Sequence, residues 1–272
     1  MMITESRNPR TMHIDTLSTY EMLRLINEED QTVPLAVEKQ LHQISRAVEV
    51  IAEAFIQGGR LIYIGAGTSG RLGVLDAVEC PPTYGVEPNN VVALLAGGQE
   101  AMFCAKEQCE DDFEQGRREL RALGVCCRDV VVGLSASGSA CYVLGALSEA
   151  EKQGAVTVGF SCNPGSALEK SCRLPITVAT GPEVITGSTR MKAGTAEKLV
   201  LNMLTTGAMI RTGKVYENLM INLRPKNNKL KLRAVSIVTQ ILGCREDSAE
   251  EMLSRHHWDV RKTLEAVSGQ VK

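Results

Sequence analysis

Leu61-Ile62-Tyr63-Ile64-Gly65-Ala66-Gly67-Thr68-Ser69-Gly70-Arg71 sets the frame for the chain. Its first four residues form a short apolar run rich in Ile and Tyr, which reads as a buried strand. Glycines and hydroxyls follow, and a helical pattern continues from Arg71 to Val78. A strand, a glycine turn and a helix start together make a place to hold an anion. Glycine lets the backbone approach closely, and a helix N-terminus offers unpaired N–H groups and the positive end of its dipole.

The same alternation repeats downstream. Further short, β-branched runs lie at Val91–Ala96, Val130–Leu134, Val156–Phe160 and Ile176–Val178. Helical patterns separate them at Gln99–Leu123, Tyr142–Gln153 and Ser166–Ser171, and a further helix is expected over Thr189–Ile210. Strands alternating with helices predict an α/β fold, a doubly wound five-stranded parallel sheet covered on both faces. Ligands in such sheets bind beyond the carboxyl ends of the strands. The polar loops Gly65–Gly70, Gly97–Glu100, Ser135–Ser139 and Ser161–Ser166 fall there.

Upstream, Ser18-Thr19-Tyr20-Glu21 caps a short helix. Leu41, Ile44, Val48, Ile51 and Phe55 recur at helical spacing until Gly58-Gly59 stops the pattern. Residues 214–234 read as a basic, Asn-rich connection, and 235–270 as a small helical appendage. The expected organisation is an N-terminal helical segment (1–58), a core domain (59–215) and a linker with a small helical region (216–272).

The chain has 272 residues, 44% of them hydrophobic, and a formal net charge of −2. That balance gives no electrostatic case for nucleic acid or an anionic membrane surface. No run of about 18 apolar residues predicts a membrane span, and residues 1–10 have no signal-like apolar segment. The nine cysteines form no C-x-x-C pair and read as reduced thiols of a cytoplasmic protein. The four histidines are His13, His42, His256 and His257, so none lies between residues 43 and 255. No metal site is expected, and central acid–base chemistry falls to carboxylates, lysines, tyrosines or cysteines.

Gly65 to Gly70 matches G-x-G-x-x-G, which alone does not specify a dinucleotide. The second strand ends Leu95-Ala96-Gly97-Gly98, without the acidic residue that would hold a ribose, and no Walker lysine is present. A second hydroxyl-rich turn, Ser135-Ala136-Ser137-Gly138-Ser139, follows the third strand. Two such turns suit a neutral cradle for one phosphate monoester, and equally serines that cap the following helices.

Glu79 precedes Cys80-Pro81-Pro82. Pro81 disfavours helical angles at Cys80, so the helix is expected to leave off near Glu79. An acid there opposes the helix dipole and is biased toward its protonated form, as a general acid requires. Glu107, Glu110, Asp111, Asp112 and Glu114 form an acidic run in which nothing singles out one base.

Long stretches resemble the N-acetylmuramic acid 6-phosphate etherases of the sugar-isomerase (SIS) superfamily. They are Ile3-Thr4-Glu5, Ile26-Asn27, Thr32–Glu38, Leu61–Arg71, Glu79-Cys80-Pro81-Pro82-Thr83-Tyr84-Gly85, Ser161–Ser166 and Gly181–Leu204. The resemblance implies a SIS, flavodoxin-like core and a lyase without metal or cofactor. Such a lyase cleaves the D-lactyl ether of N-acetylmuramate 6-phosphate by elimination then hydration, in cell-wall sugar recycling. It assigns Glu79 as the acid toward lactate and Glu110 as the C2 base. Phosphate is expected on Thr68, Ser69, Ser135 and Ser137, with Ser188, Thr189 and Lys192 as further sugar or phosphate contacts. It also implies a homodimer.

About 13 Å of helix separates Gly70 from Glu79, at about 1.5 Å per residue, so at least one glutamate is expected to serve the partner's site. The chain departs from the family pattern at Ser139-Ala140-Cys141, where Arg-Thr-Pro is usual, and after about Gly243. A non-catalytic phosphosugar-binding regulator, like the related glucokinase regulatory protein, is the alternative. An aldose–ketose isomerase is a third reading.

Overall fold

In the computed structural model, which describes residues 2–223, 225 and 227–268, five parallel strands form one sheet in the order β2-β1-β3-β4-β5. They are β1 (Leu61–Gly65), β2 (Val91–Leu95), β3 (Val130–Leu134), β4 (Val156–Ser161) and β5 (Leu174–Thr177). From β1 the chain steps outward to β2, then returns to pair β3 on the other side of β1. Crossovers on the two sides therefore diverge at the carboxyl ends of β1 and β3, the crevice where such sheets bind ligands.

Strand alternation builds two cores. Leu61, Tyr63, Val130, Val132, Leu134, Phe160 and Ile176 pack under α3 (Leu41–Ile56), α4 (Gly67–Tyr84) and α8 (Lys192–Arg211). Ile62, Ile64 and Val131 face the other way, against α5 (Phe113–Ala122), α6 (Cys141–Lys152) and α7 (Ala167–Lys170). Period-2 strands with both faces apolar require helices on each side, as seen.

Ahead of the sheet, α1 (Thr19–Asp30) opens with a capping box. Ser18 Oγ accepts from Glu21 N, and Glu21 Oε2 accepts from Ser18 N. α2 (Thr32–Glu38) leads to α3, which stops before Gly58 at φ +72°. Three single-turn 3-10 segments, Ile3–Glu5, Pro9–Thr11 and Ile14–Thr16, precede α1, and the first two reach the loops after β4 and β5. Thr4 is bonded both ways to Asn163, and Thr11 Oγ1 donates to the Val184 carbonyl.

Three expectations need correction. The helix bearing Glu79 does not end there: α4 runs through Pro81 and Pro82 to Tyr84 and is capped by Gly85 at φ +64°. The prolines remove two helical donors, but Cys80 and Tyr84 are buried, and Gly85 N donates to the Pro81 carbonyl. Tertiary packing overrides the local bias, so Glu79 is more than a turn from the helix end and the dipole argument lapses. The expected helix over 99–123 is broken into 3-10 segments Gln99–Met102 and Glu107–Asp111 followed by α5. The positive φ of Gly97 and Gly98 turns the chain first, and the Asp112 side chain caps α5 by accepting from Gln115 N. The helix after β5 starts at Lys192, because residues 188–191 form turns.

Beyond α8, α9 (Asn228–Leu242), α10 (Glu246–Arg255) and α11 (Val260–Ser268) enclose their own apolar cluster of Ile237, Val238, Leu253, Val260 and Leu264. α9 begins inside the stretch expected to be a connection, with Asn227 Oδ1 accepting from Leu230 N. Arg224, Lys226 and residues 269–272 of the expected C-terminal region lie outside the described residues.

Candidate active site

Gly65 and Gly70 of the first turn are required by contact. A Cβ on Gly65 would lie 2.6 Å from the Gly70 backbone, and one on Gly70 2.6 Å from the Gly65 carbonyl oxygen. Bare backbones let α4 start directly over the end of β1. Thr68 is half-buried and Ser69 buried in its first turn. Ser69 Oγ donates to Glu197 Oε2 of α8 at 2.7 Å. The space above the Gly194 Cα lies 3.7 Å from the Thr68 methyl and 3.5 Å from the Thr189 carbonyl oxygen, so the starts of α4 and α8 adjoin.

The second turn is folded on itself. Ser135 Oγ accepts from Gly138 N at 3.0 Å and lies 3.3 Å from Ser137 Oγ. Ser137 Oγ lies 2.8 Å from Ser139 Oγ. Gly138 has φ +71°, and a Cβ there would strike Ser166 at 2.4 Å. Asn163 Nδ2 braces the turn by donating to the Ala136 and Ser137 carbonyls. A cavity of about 290 Å³ opens beside it, between Ser137–Ser139, Asn163–Ala167 and the N-terminal Met2-Ile3.

Helix starts distinguish the two readings left open by the serines. Neither α4 (N-cap Ala66) nor α6 (N-cap Ala140) has a side-chain cap, so the serines do not spend their hydroxyls as caps there. Both starts leave N–H groups at the crevice between β1 and β3, the arrangement that attracts an anion. The start of α8 is already filled. Glu183 accepts from Lys192 N and Ala193 N, both at 2.9 Å, and burial pushes its carboxyl above the usual range against those bonds.

Lys192 is not open to a ligand in this chain. Its ammonium is buried and donates to Glu29 Oε2 of α1 at 2.7 Å. Asn8 and Arg10 complete the shell around Glu29 at 2.9 and 2.8 Å. Ser188 and Thr189 are half-buried in the turn before α8. The ends of β1 and β3 pair at Gly65 and Leu134, so the turn carrying Thr68 and Ser69 and the turn carrying Ser135 and Ser137 leave the sheet side by side, and Thr189 approaches the first through Gly194.

The two glutamates lie apart. Glu110 is exposed in the 3-10 segment after β2, on the carboxyl side of the sheet. That segment packs against α6, whose first turn carries Tyr142. Glu79 lies ten residues beyond Ser69 on an unbroken helix, about 15 Å away at 1.5 Å per residue. Its face of α4 is exposed and apolar: Leu75 is 40% and Val78 58% accessible. Among the described residues no group of three or more His, Cys, Asp or Glu side chains is placed to hold a metal ion. No helix there is long and apolar enough to cross a membrane.

Sequence reasoning passed over Glu197, Glu29, Glu183 and Asn163. Glu197 had a usable signal: it is the lone charge on an apolar stripe of α8 with Ala193, Ala196, Val200, Leu201 and Leu204.

Comparison with known proteins places this architecture. Residues 43–151 match the N-terminal SIS domain of glucokinase regulatory protein, and residues 217–271 match its C-terminal lid domain. In solved structures, a phosphoheptose isomerase from Neisseria gonorrhoeae superposes with a TM-score of 0.54 at 19% identity, covering 70% of this chain and 98% of that one. One from Francisella tularensis gives 0.53 at 14%, covering 71% and 100%. These likenesses establish the fold. An N-acetylmuramic acid 6-phosphate etherase from Aeromonas hydrophila subsp. hydrophila is 55% identical over 254 residues, 93% of this chain and 85% of the relative. One from Caldanaerobacter subterraneus subsp. tengcongensis is 51% identical over 271 residues, 100% of this chain and 89% of the relative. With the SIS sheet, the crevice and identity on this scale, the chain belongs to the N-acetylmuramic acid 6-phosphate etherase family.

Proposed function

We propose that the protein cleaves the D-lactyl ether of N-acetylmuramate 6-phosphate, giving N-acetylglucosamine 6-phosphate and D-lactate in cell-wall sugar recycling. The observation that carries this reading is high identity to etherases over nearly the whole chain. The neutral anion crevice at the sheet's switch point agrees with it. Thr68, Ser69, Ser135 and Ser137, together with the uncapped starts of α4 and α6, hold the 6-phosphate. Ser188 and Thr189 border the sugar. The ammonium of Lys192 holds Glu29 and drops out of the ligand set.

In this proposal Glu110 removes the C2 proton of the open-chain aldehyde, which the carbonyl acidifies. Glu79 protonates the departing lactate oxygen, and water then adds at C3. A glutamate three turns down α4 cannot meet a sugar anchored at the start of the same helix. The protein therefore acts as a homodimer in which the apolar Leu75–Val78 face is covered by a second copy and Glu79 enters that copy's site. Residues 1–58, 59–215 and 216–272 form its N-terminal, phosphosugar and C-terminal units, and it works in the cytoplasm.

The test is incubation with N-acetylmuramate 6-phosphate in deuterated water. Lactate is released and the product carries deuterium at C2. Binding without turnover would make the protein a phosphosugar sensor instead. In the Glu79→Gln variant, lactate release falls further than C2 exchange. Loss of exchange with elimination intact would reverse the two assignments.

A further inference from the structure

Glu197 is a carboxyl group in an unusual position. It is 1% exposed, in the second turn of α8 and directly behind the phosphate crevice. One oxygen, Oε2, accepts from Ser69 Oγ at 2.7 Å, and the other, Oε1, is buried without a hydrogen-bond partner among the described residues. No described cation pairs with it. On its own helix the ammonium of Lys192 is held by Glu29, and that of Lys198 lies 3.6 Å from Asp76 of α4. Tyr63 from β1 and Cys162 after β4 face it as neutral phenol and thiol. Burial raises both, followed for Tyr63 by Asp76, to which its hydroxyl donates, and for Cys162 by the Glu197 charge. Glu183, before α8, is bonded to backbone N–H groups.

A buried carboxylate with one unpaired oxygen and no counter-ion is far more costly than the carboxylic acid in the same place. Ser69 makes the difference matter. Its hydroxyl has one hydrogen, and a carboxylate only accepts. Beside an ionised Glu197, that hydrogen must point at Oε2, leaving Ser69 lone pairs toward the crevice, where a phosphate dianion also offers only lone pairs. Beside a neutral Glu197, the carboxyl proton is donated to Ser69 Oγ across the same 2.7 Å, and the Ser69 hydrogen is free for the phosphate.

We propose that Glu197 is a positioning residue that sets the direction of the Ser69 hydrogen, so the phosphosugar binds to the protonated form of the protein and binding takes up a proton. This rests on the reading of Ser69 as a phosphate contact. Burial pushes the Glu197 carboxyl up to about 8, against the opposing effect of the Ser69 bond, so the acid form predominates at neutral pH and is lost above it. The ligand contributes no titration of its own there, because a phosphate monoester with a second pKa of about 6 is already dianionic.

The experiment is calorimetric titration with N-acetylglucosamine 6-phosphate between pH 7 and 9, in buffers of different ionisation enthalpy. For the unaltered protein, affinity falls about tenfold from pH 7 to 9, as expected for a group near 8 that must be protonated. At pH 8.5, more than half a proton is taken up per ligand bound. Glu197→Gln keeps a permanent donor toward Ser69, and its affinity changes less than twofold over the same range with no proton uptake. A shared pH profile for the two proteins, or absent proton uptake by the unaltered one, overturns the proposal. Ser69→Ala distinguishes the underlying reading. Weakened binding at pH 7 supports it, whereas unchanged binding removes Ser69 from the phosphate site and the proposal with it.

Discussion

Replacing Lys192 with methionine should destabilise the protein strongly while leaving substrate affinity almost intact. Lys192 and Glu29 are both buried, joined at 2.7 Å, and bring α1 onto the start of α8. Burial pushes the Glu29 carboxyl up, but hydrogen bonds from Lys192 and Asn8 outweigh it and hold it below the usual range, so Glu29 is ionised at pH 7. Methionine fills similar volume but leaves that carboxylate without its buried cation. Removing one partner of a buried pair costs about 3–5 kcal/mol. Glu29 keeps its bonds from Asn8 and Arg10, which places the expected loss near the lower end, about 3 kcal/mol. At roughly 2–4 °C per kcal/mol for a chain of this size, the melting temperature falls by about 6–12 °C. Urea unfolding at pH 7 measures the loss directly. Adding Glu29→Gln removes the stranded charge, so the double variant is more stable than the sum of the single changes implies. A Lys192→Met protein as stable as the original but with KM raised tenfold would refute the argument and return Lys192 to the ligand site.

Two further outcomes follow from the geometry. If each site draws Glu79 from one subunit and Glu110 from the other, mixing inactive Glu79→Gln and Glu110→Gln proteins restores activity. Random exchange makes about half the dimers mixed, each with one intact site, so about a quarter of full activity returns by subunit-pairing statistics; a mixture that stays inactive puts both glutamates in one chain. The carboxyl of Glu149 is held down at about 2 by hydrogen bonds from Arg121 and then Gln153. Its stabilising effect is therefore complete above the unfolded value near 4.3 and is lost as pH falls through about 2. Glu149→Gln should be less stable than the original at pH 7, with urea midpoints converging toward pH 2; a gap that stays constant with pH means packing rather than charge.

Strands were legible from sequence because their signal is local. Each is a short β-branched run between glycines or polar turns, and a sheet buried on both faces needs nothing more. The serine turns were legible for the same reason. Glu79 shows where local rules fail. Pro81 argues for a helix exit, yet burial of Cys80 and Tyr84 carries α4 onward for another turn. Lys192 shows a different failure. A lysine beside Ser188 and Thr189 resembles an anion contact until α1 folds back and supplies Glu29, 163 positions earlier. Glu197 was hidden because its partner Ser69 lies 128 positions away, and no spacing rule within α8 reports such a pairing.

The N-terminal segment also imposes an order of events in time. Thr4 and Asn8 are buried and find their side-chain partners in Asn163 and, through Glu29, in Lys192. At roughly 5–20 residues per second, residue 163 leaves the ribosome about 8–32 s after residue 4. For that interval Asn8 and Arg10 can reach Glu29, but Thr4 has no Asn163 to dock on, and the second turn lacks its Asn163 brace. Docking of Thr4 therefore waits for the chain beyond β4. A bulky fusion ahead of Met2 would act on that late closure and slow the appearance of activity more than the formation of the sheet.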